Sequence, residues 1–255
     1  MNNEGFLKEQ EMFVEINGKK VSELSNNIRN LFKAVYGVLE EDEIVYCEPP
    51  SEFYKPDFFL VYKGVKKGIS MKSGRAEIVH SEDITRFTNY LKLKGFSERT
   101  VETILLYCFG DGTTDGSGEE RMDYVQLHAI LDQRIKEANA ELNSDSDLIY
   151  EIVHRNVFQG TNPTFPPADA IYFGDRNFGV VATEIQVRKH IKRRSWTWMN
   201  ALHIGPMMIR PHARYVGTEI KSEKRRRTID FTWSHLGADV EYIGRRYDSW
   251  GVLKV

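Results

Sequence analysis

The chain has 255 residues, 41% apolar and 28% charged, with a formal net charge of −2; that allows one large domain or two small ones and matches a soluble globular protein. No apolar run approaches the roughly 20 residues of a membrane span, and the first segment lacks the basic-then-apolar order of a secretory leader, so no membrane contact and a cytoplasmic address are expected. The only two cysteines, Cys47 and Cys108, sit in apolar segments with no paired Cys or Cys/His spacing, which argues against a disulfide framework or a zinc site and for buried thiols.

Residues 12–20 read as a short strand ending in an Asn-Gly turn. Val21, Leu24, Ile28, Leu31, Phe32 and Val35 then recur at three- and four-residue steps. This predicts an amphipathic helix closed by Gly37. Residues 43–47 are a short strand candidate stopped by Pro49 and Pro50. Residues 57–62, DFFLVY, are apolar, aromatic and β-branched, as in a strand buried on both faces. A turn at Gly64 leads to a second strand at 68–72, GISMK, which predicts a hairpin. Ser81 is the expected N-cap of the next helix, with Glu82 and Asp83 at the positive end of its dipole. Residues 103–109, TILLYCF, read as a further buried strand.

Residues 110–118, GDGTTDGSG, read as a flexible connector and the best domain boundary. They divide the chain into a core at 1–109 and a C-terminal region at 119–255. That region reads as helices at 122–142 and 147–158, a hairpin at 170–183, a strand at 228–233 and a helix at 236–247.

Pro56-Asp57 at the start of one strand, and Ser70-Met71-Lys72 at the end of its partner, carry the chemistry. Residues two apart on a strand share a face, so Ser70 and Lys72 point together while Met71 points into the core. These residues, within the order helix, strand, hairpin, helix, strand over about 21–109, resemble the PD-(D/E)xK nuclease superfamily. The resemblance implies an α/β fold with a restriction-endonuclease-like mixed central sheet flanked by helices, here with an α+β C-terminal extension. It also implies phosphodiester hydrolysis with Mg²⁺ or Mn²⁺, Asp57 and the Met71 carbonyl binding the metal and Lys72 orienting water. Such nucleases often act as dimers, so a homodimer is implied by analogy.

The family pattern has Asp or Glu where this chain has Ser70, and a hydroxyl is a weaker magnesium ligand. Three readings stand. A carboxylate has migrated, with Glu82 first, Glu23 second, and Glu48 and Glu52 behind; or Ser70 serves through water; or the site is inactive.

Charge is concentrated in one stretch. Residues 188–227 hold 12 Lys and Arg against 2 Asp and Glu, a pattern that directs a segment at a polyanion or at an acidic part of the same chain. Arg188, Lys189, Lys192, Arg193, Arg194, Arg210, Arg214, Arg225, Arg226 and Arg227 are the candidate phosphate contacts, with Trp196, Trp198 and Tyr215 interleaved for stacking. His190, His203 and His212 match no metal-ligand spacing. The expected activity is a metal-dependent DNA endonuclease, in restriction, phage defence or mobile-element processing, with RNA left open. The alternatives are an inactive nucleic-acid-binding module and a protein-interaction subunit.

Overall fold

The computed structural model describes residues 4–50, 54–74, 78–118, 121–196, 201–212 and 220–247. In chain order these form α1 (Glu4–Ile16), β1 (Lys19–Lys20), α2 (Asn26–Tyr36), β2 (Ile44–Glu48), β3 (Phe58–Tyr62), β4 (Val65–Lys72), β5 (Ile78–Asp83), α3 (Ile84–Leu93), α4 (Glu98–Phe109), α5 (Tyr124–Leu142) and α6 (Ser146–His154). There follow β6 (Ala170–Gly174), β7 (Gly179–Thr183), α7 (Glu184–Lys192), β8 (His203–Ile204), β9 (Met207–Pro211), α8 (Ile220–Arg226), β10 (Thr228–Thr232) and α9 (Leu236–Arg246). Among the described residues no helix is long and apolar enough to cross a membrane.

The chain forms two compact units, each assembled from separated stretches: 1–77, 153–194 and 235–255 make the first, 78–152 and 195–234 the second. This differs from the division expected at 110–118. Sheet pairing between distant segments, β4 with β6 and β5 with β10, sets the units, and loop composition does not reveal such pairings.

The first unit contains a mixed sheet flanked by helices, as the resemblance implies. Its order is β1-β2-β3-β4-β6-β7. Every neighbouring pair is antiparallel except β4 with β6. The expected hairpin is present, with Phe58 opposite Ile69 and Tyr62 opposite Val65. Phe58, Leu60, Ile69 and Met71 are buried in one core with Met12 and Ile16 of α1 and Ile28, Leu31 and Phe32 of α2. Ser25 caps α2 by accepting the Ile28 N–H at 3.4 Å, and Gly37, at φ 81°, ends it. Residues 12–16, expected as a strand, belong instead to α1. The helix buries Met12 and Ile16 four residues apart, a period that the short window 12–20 was too brief to display.

The second unit holds an antiparallel sheet, β5-β10-β9-β8, with α3, α4 and α5. Residues 103–109 are helical rather than extended. A continuous apolar run cannot by itself separate a buried strand from a buried helix. Here the caps decide: the Ser97 hydroxyl accepts the Thr100 N–H, and Gly110 closes the helix in the left-handed region at φ 67°. Likewise Asp83, not Ser81, caps α3, its carboxylate accepting the N–H groups of Thr85 and Arg86. Glu82 is therefore on a strand, opposite Ile229.

The loop at 110–118 is held in place. The fully buried carboxylate of Asp111 accepts from the Thr113 amide and hydroxyl through Oδ1 and from the Gly118 amide through Oδ2. Arg226 donates to the same Oδ2 at 2.7 Å and to the carbonyls of Gly116 and Gly118. The loop is thus an Asx-type turn clamped by an ion pair, not a free connector.

Candidate active site

Asp57 stands immediately before β3, tied to the neighbouring strand by its own N–H, which donates to the Ile69 carbonyl at 2.8 Å. Its Oδ2 accepts the Met71 N–H at 2.6 Å and lies 3.4 Å from the Lys72 ammonium. Lys72 Nζ also donates to the Met71 carbonyl at 2.9 Å. The side chains of Asp57 and Lys72 keep 25% and 18% of their exposure, so the pair is sheltered but reachable from solvent. Two hard oxygens, the Asp57 carboxylate and the Met71 carbonyl, thus converge on one cation supplied by the chain itself.

A second acid joins them. Glu9, on α1, has its carboxyl pushed up to about 7, first by burial and then by the negative charge of Asp57, with Lys72 opposing. Glu9 lies one helical turn before Met12, whose side chain is in the core, and this spacing places Glu9 beside the sheet. Lys55, two residues before Asp57, is pushed down to about 7 by burial and by the like charge of Lys72. Two carboxylates and two ammonium groups therefore share one electrostatic neighbourhood. Neither Glu9 nor Lys55 is marked by the short motif. Recognition of α1 as a helix would have pointed to Glu9.

Ser70 is fully buried, and its hydroxyl finds no hydrogen-bond partner among the described residues. Met71 packs into the core, leaving only its backbone at the site. The other expected carboxylates are placed elsewhere. Glu82 belongs to the second unit, 3.9 Å from His80 Nε2. Glu23 accepts the Lys20 N–H at 2.8 Å and caps the short turn before α2. Glu48 pairs with Lys66 on the strand ladder. Glu52 lies outside the described residues. The carboxyl group whose charge is coupled to that of Asp57 is Glu9. Among the described residues no three His, Cys, Asp or Glu side chains form a metal-binding group.

The basic stretch divides by role. Arg188 and Lys189 on α7 are exposed, Lys192 is half-buried, and Arg193 and Arg194 are exposed just past the helix end. Arg210 on β9 and Arg225 on α8 are exposed in the second unit. Arg226, expected to contact phosphate, is instead spent on Asp111, and Arg227 pairs with Glu223 and donates to the Asp115 carbonyl. The acids that recruit them are distant in sequence or a helical turn away, which local charge counting does not register. Arg214, Tyr215 and Trp198 lie outside the described residues, and Trp196 is buried. His190 and His203 are buried, and His212 pairs with Asp230 at 3.0 Å.

No family model matches the chain, and no curated protein matches it. Among solved structures it is similar to the restriction endonuclease MspI in complex with its cognate DNA, at 13% sequence identity and a TM-score of 0.44, over 90% of this chain and 91% of that one.

Proposed function

We propose that this chain is a metal-dependent nuclease that hydrolyses DNA phosphodiester bonds at the site formed by Asp57, Lys72 and Glu9. The observation that carries the reading is the convergence of Asp57 Oδ2 and the Met71 carbonyl on the Lys72 ammonium at the sheltered end of the β3–β4 hairpin. The donor set fits a hard divalent cation such as Mg²⁺ or Mn²⁺: the Asp57 and Glu9 carboxylates and the Met71 carbonyl are oxygen ligands of the kind such ions select. Asp57, Glu9 and the Met71 carbonyl would hold the ion. When bound, a cation of this type supplies charge compensation at the phosphate and favours deprotonation of water.

The rest falls to the chain's own groups. Asp57 is fixed by the Met71 amide, so its carboxylate is oriented before any substrate arrives. Lys72 sets its ammonium between the same oxygens, on a side chain long enough to turn toward a phosphoryl oxygen and neutralise charge developing there. Buried Met71 anchors this strand end in the core.

A second reading is favoured by one observation. Ser70 occupies the position where the resembling family has an acid, so a binding module without catalysis remains the competing account. Incubation of supercoiled plasmid with the protein in Mg²⁺ or Mn²⁺, beside Asp57→Ala and Lys72→Ala, separates the two. Metal-dependent nicking by the wild type alone supports the enzyme. Salt-sensitive binding with no nicking in either metal supports the module, and nicking that survives both substitutions removes the site assignment.

A further inference from the structure

A recess of the first unit, of about 620 Å³, opens between the end of α7 and α9. Two of its arginines stand over tyrosine rings. The Arg193 guanidinium is 5.7 Å from the Tyr247 ring centre, and that of Arg246 is 5.4 Å from the Tyr242 ring centre. Arg246 also donates to the Tyr242 hydroxyl at 2.6 Å. A guanidinium held against a ring keeps in-plane N–H donors for phosphate oxygens, and Arg246 retains donors beyond the one that the Tyr242 hydroxyl takes. Among the described residues neither Arg193 nor Arg246 forms an ion pair. Arg194 adds a third cation to the lining. His190 forms the floor, buried and edge-on to both tyrosines at 5.7 and 6.3 Å. Burial and Arg194 push it down to about 4, so it is neutral near pH 7 and the positive charge comes from the arginines.

One acid, Asp239, lines the same recess. A carboxylate weakens the hold on a bare anion, but it accepts from the N–H groups of a nucleobase edge. Tyr242, 47% exposed, offers ring surface at the mouth. Cations for a phosphate, an aromatic surface for a base and an acceptor for base N–H groups together describe a ligand with all three parts.

We infer that the recess between α7 and α9 binds one unpaired nucleotide of a nucleic-acid strand, its phosphate on Arg193 and Arg246, its base against Tyr242 and its N–H edge toward Asp239. This rests on the nucleic-acid reading above and adds a subsite to it, joining Arg193 of the basic stretch to Asp239, Tyr242 and Arg246, which lie outside that stretch.

The test is fluorescence anisotropy of a labelled short single-stranded oligonucleotide with the full chain in EDTA, where cleavage does not contribute. Tyr242→Ala should weaken binding about tenfold and Tyr242→Phe should restore most of it, as expected for the loss and retention of one stacking surface. Arg246→Ala should weaken binding and lower the slope of log affinity against log salt by about one. Thermal melts establish that each variant is folded.

Folded Tyr242→Ala and Arg246→Ala proteins that bind like the wild type overturn the inference, even if the wild type cuts DNA. Loss of binding in these two variants sustains it, even if no metal elicits cutting. Failure of the wild type to bind the oligonucleotide at low salt overturns it too, as does equal competition by an acidic polypeptide, which would assign the recess to carboxylates.

Discussion

Asp57 and Lys72 meet over a shared neighbour: the carboxylate oxygen that takes the Met71 amide at 2.6 Å lies 3.4 Å from the Lys72 ammonium, which in turn donates to the Met71 carbonyl at 2.9 Å. The pair depends on the hairpin register that sets Phe58 opposite Ile69. A one-residue slip would turn every side chain of one strand to the other face and separate the two groups.

Removal of either group should therefore abolish activity without unfolding the chain. We expect Asp57→Ala and Lys72→Ala each to lower plasmid nicking in Mg²⁺ by at least about 100-fold, the range for loss of a positioned electrostatic or proton-handling group. Initial nicking rates measured beside thermal melts check this. Rates within a few-fold of wild type in folded variants would refute the assignment.

Glu9 gives a pH signature. Its folded-state proton affinity lies above the ordinary carboxylate value, so between about 4.5 and about 7 the folded chain binds more protons than the unfolded one. Stability must then fall as pH rises through that window. Glu9→Gln should flatten this fall and leave the variant more stable than wild type at pH 8, yet with slower nicking. Melting temperatures from pH 4 to 8, with nicking at pH 8, test the pair of outcomes. A variant that is less stable at pH 8 would contradict the buried-acid account.

Ser70 combines full burial with a hydroxyl that has no described partner. Deleting an unsatisfied buried hydroxyl should stabilise the fold by up to about 1 kcal/mol. If that oxygen also serves a cation, Ser70→Ala should need more Mg²⁺ for half-maximal nicking, by about tenfold. Denaturant melts and a Mg²⁺ titration read the two effects. An unchanged titration would exclude the hydroxyl from the ligand set.

Arg226 should behave as a structural residue. Arg226→Ala leaves the fully buried Asp111 carboxylate without its closest cation, and breaking a buried pair from one side costs about 3–5 kcal/mol. The exposed Arg225 carries no such duty, so Arg225→Ala should change stability by less than about 0.5 kcal/mol. Urea unfolding of both variants distinguishes them, and equal stabilities would show that the clamp contributes nothing.

The parts legible in the sequence were those with short-range signatures. An apolar, β-branched strand followed by a Gly-centred turn predicts the β3–β4 hairpin, and alternation along 70–72 predicts that Met71 enters the core while Lys72 does not. Other features needed partners far along the chain. Glu9 was hidden because residues 4–11 carry few apolar positions, so α1 shows its period only when joined to Met12 and Ile16. The acids near the motif lead instead to Glu82, Glu23, Glu48 and Glu52, and the expected helix start at Glu82 is a strand end capped one residue later by Asp83. The charge run ending in Arg225, Arg226 and Arg227 looked uniform, although Asp111 claims one member from more than a hundred positions away.

The parallel pairing of β4 with β6 has a consequence for how the protein is made. Lys72 leaves the ribosome long before Phe173, the residue it stands opposite, and most of the second unit is translated in between. Until β6 emerges, β4 is an open edge whose unpaired amides and carbonyls invite association with another nascent chain. Maturation of the site must therefore await a segment that contributes none of its charged groups. A nascent chain stalled before residue 170 should be the aggregation-prone species, and it should lack a protected Lys72.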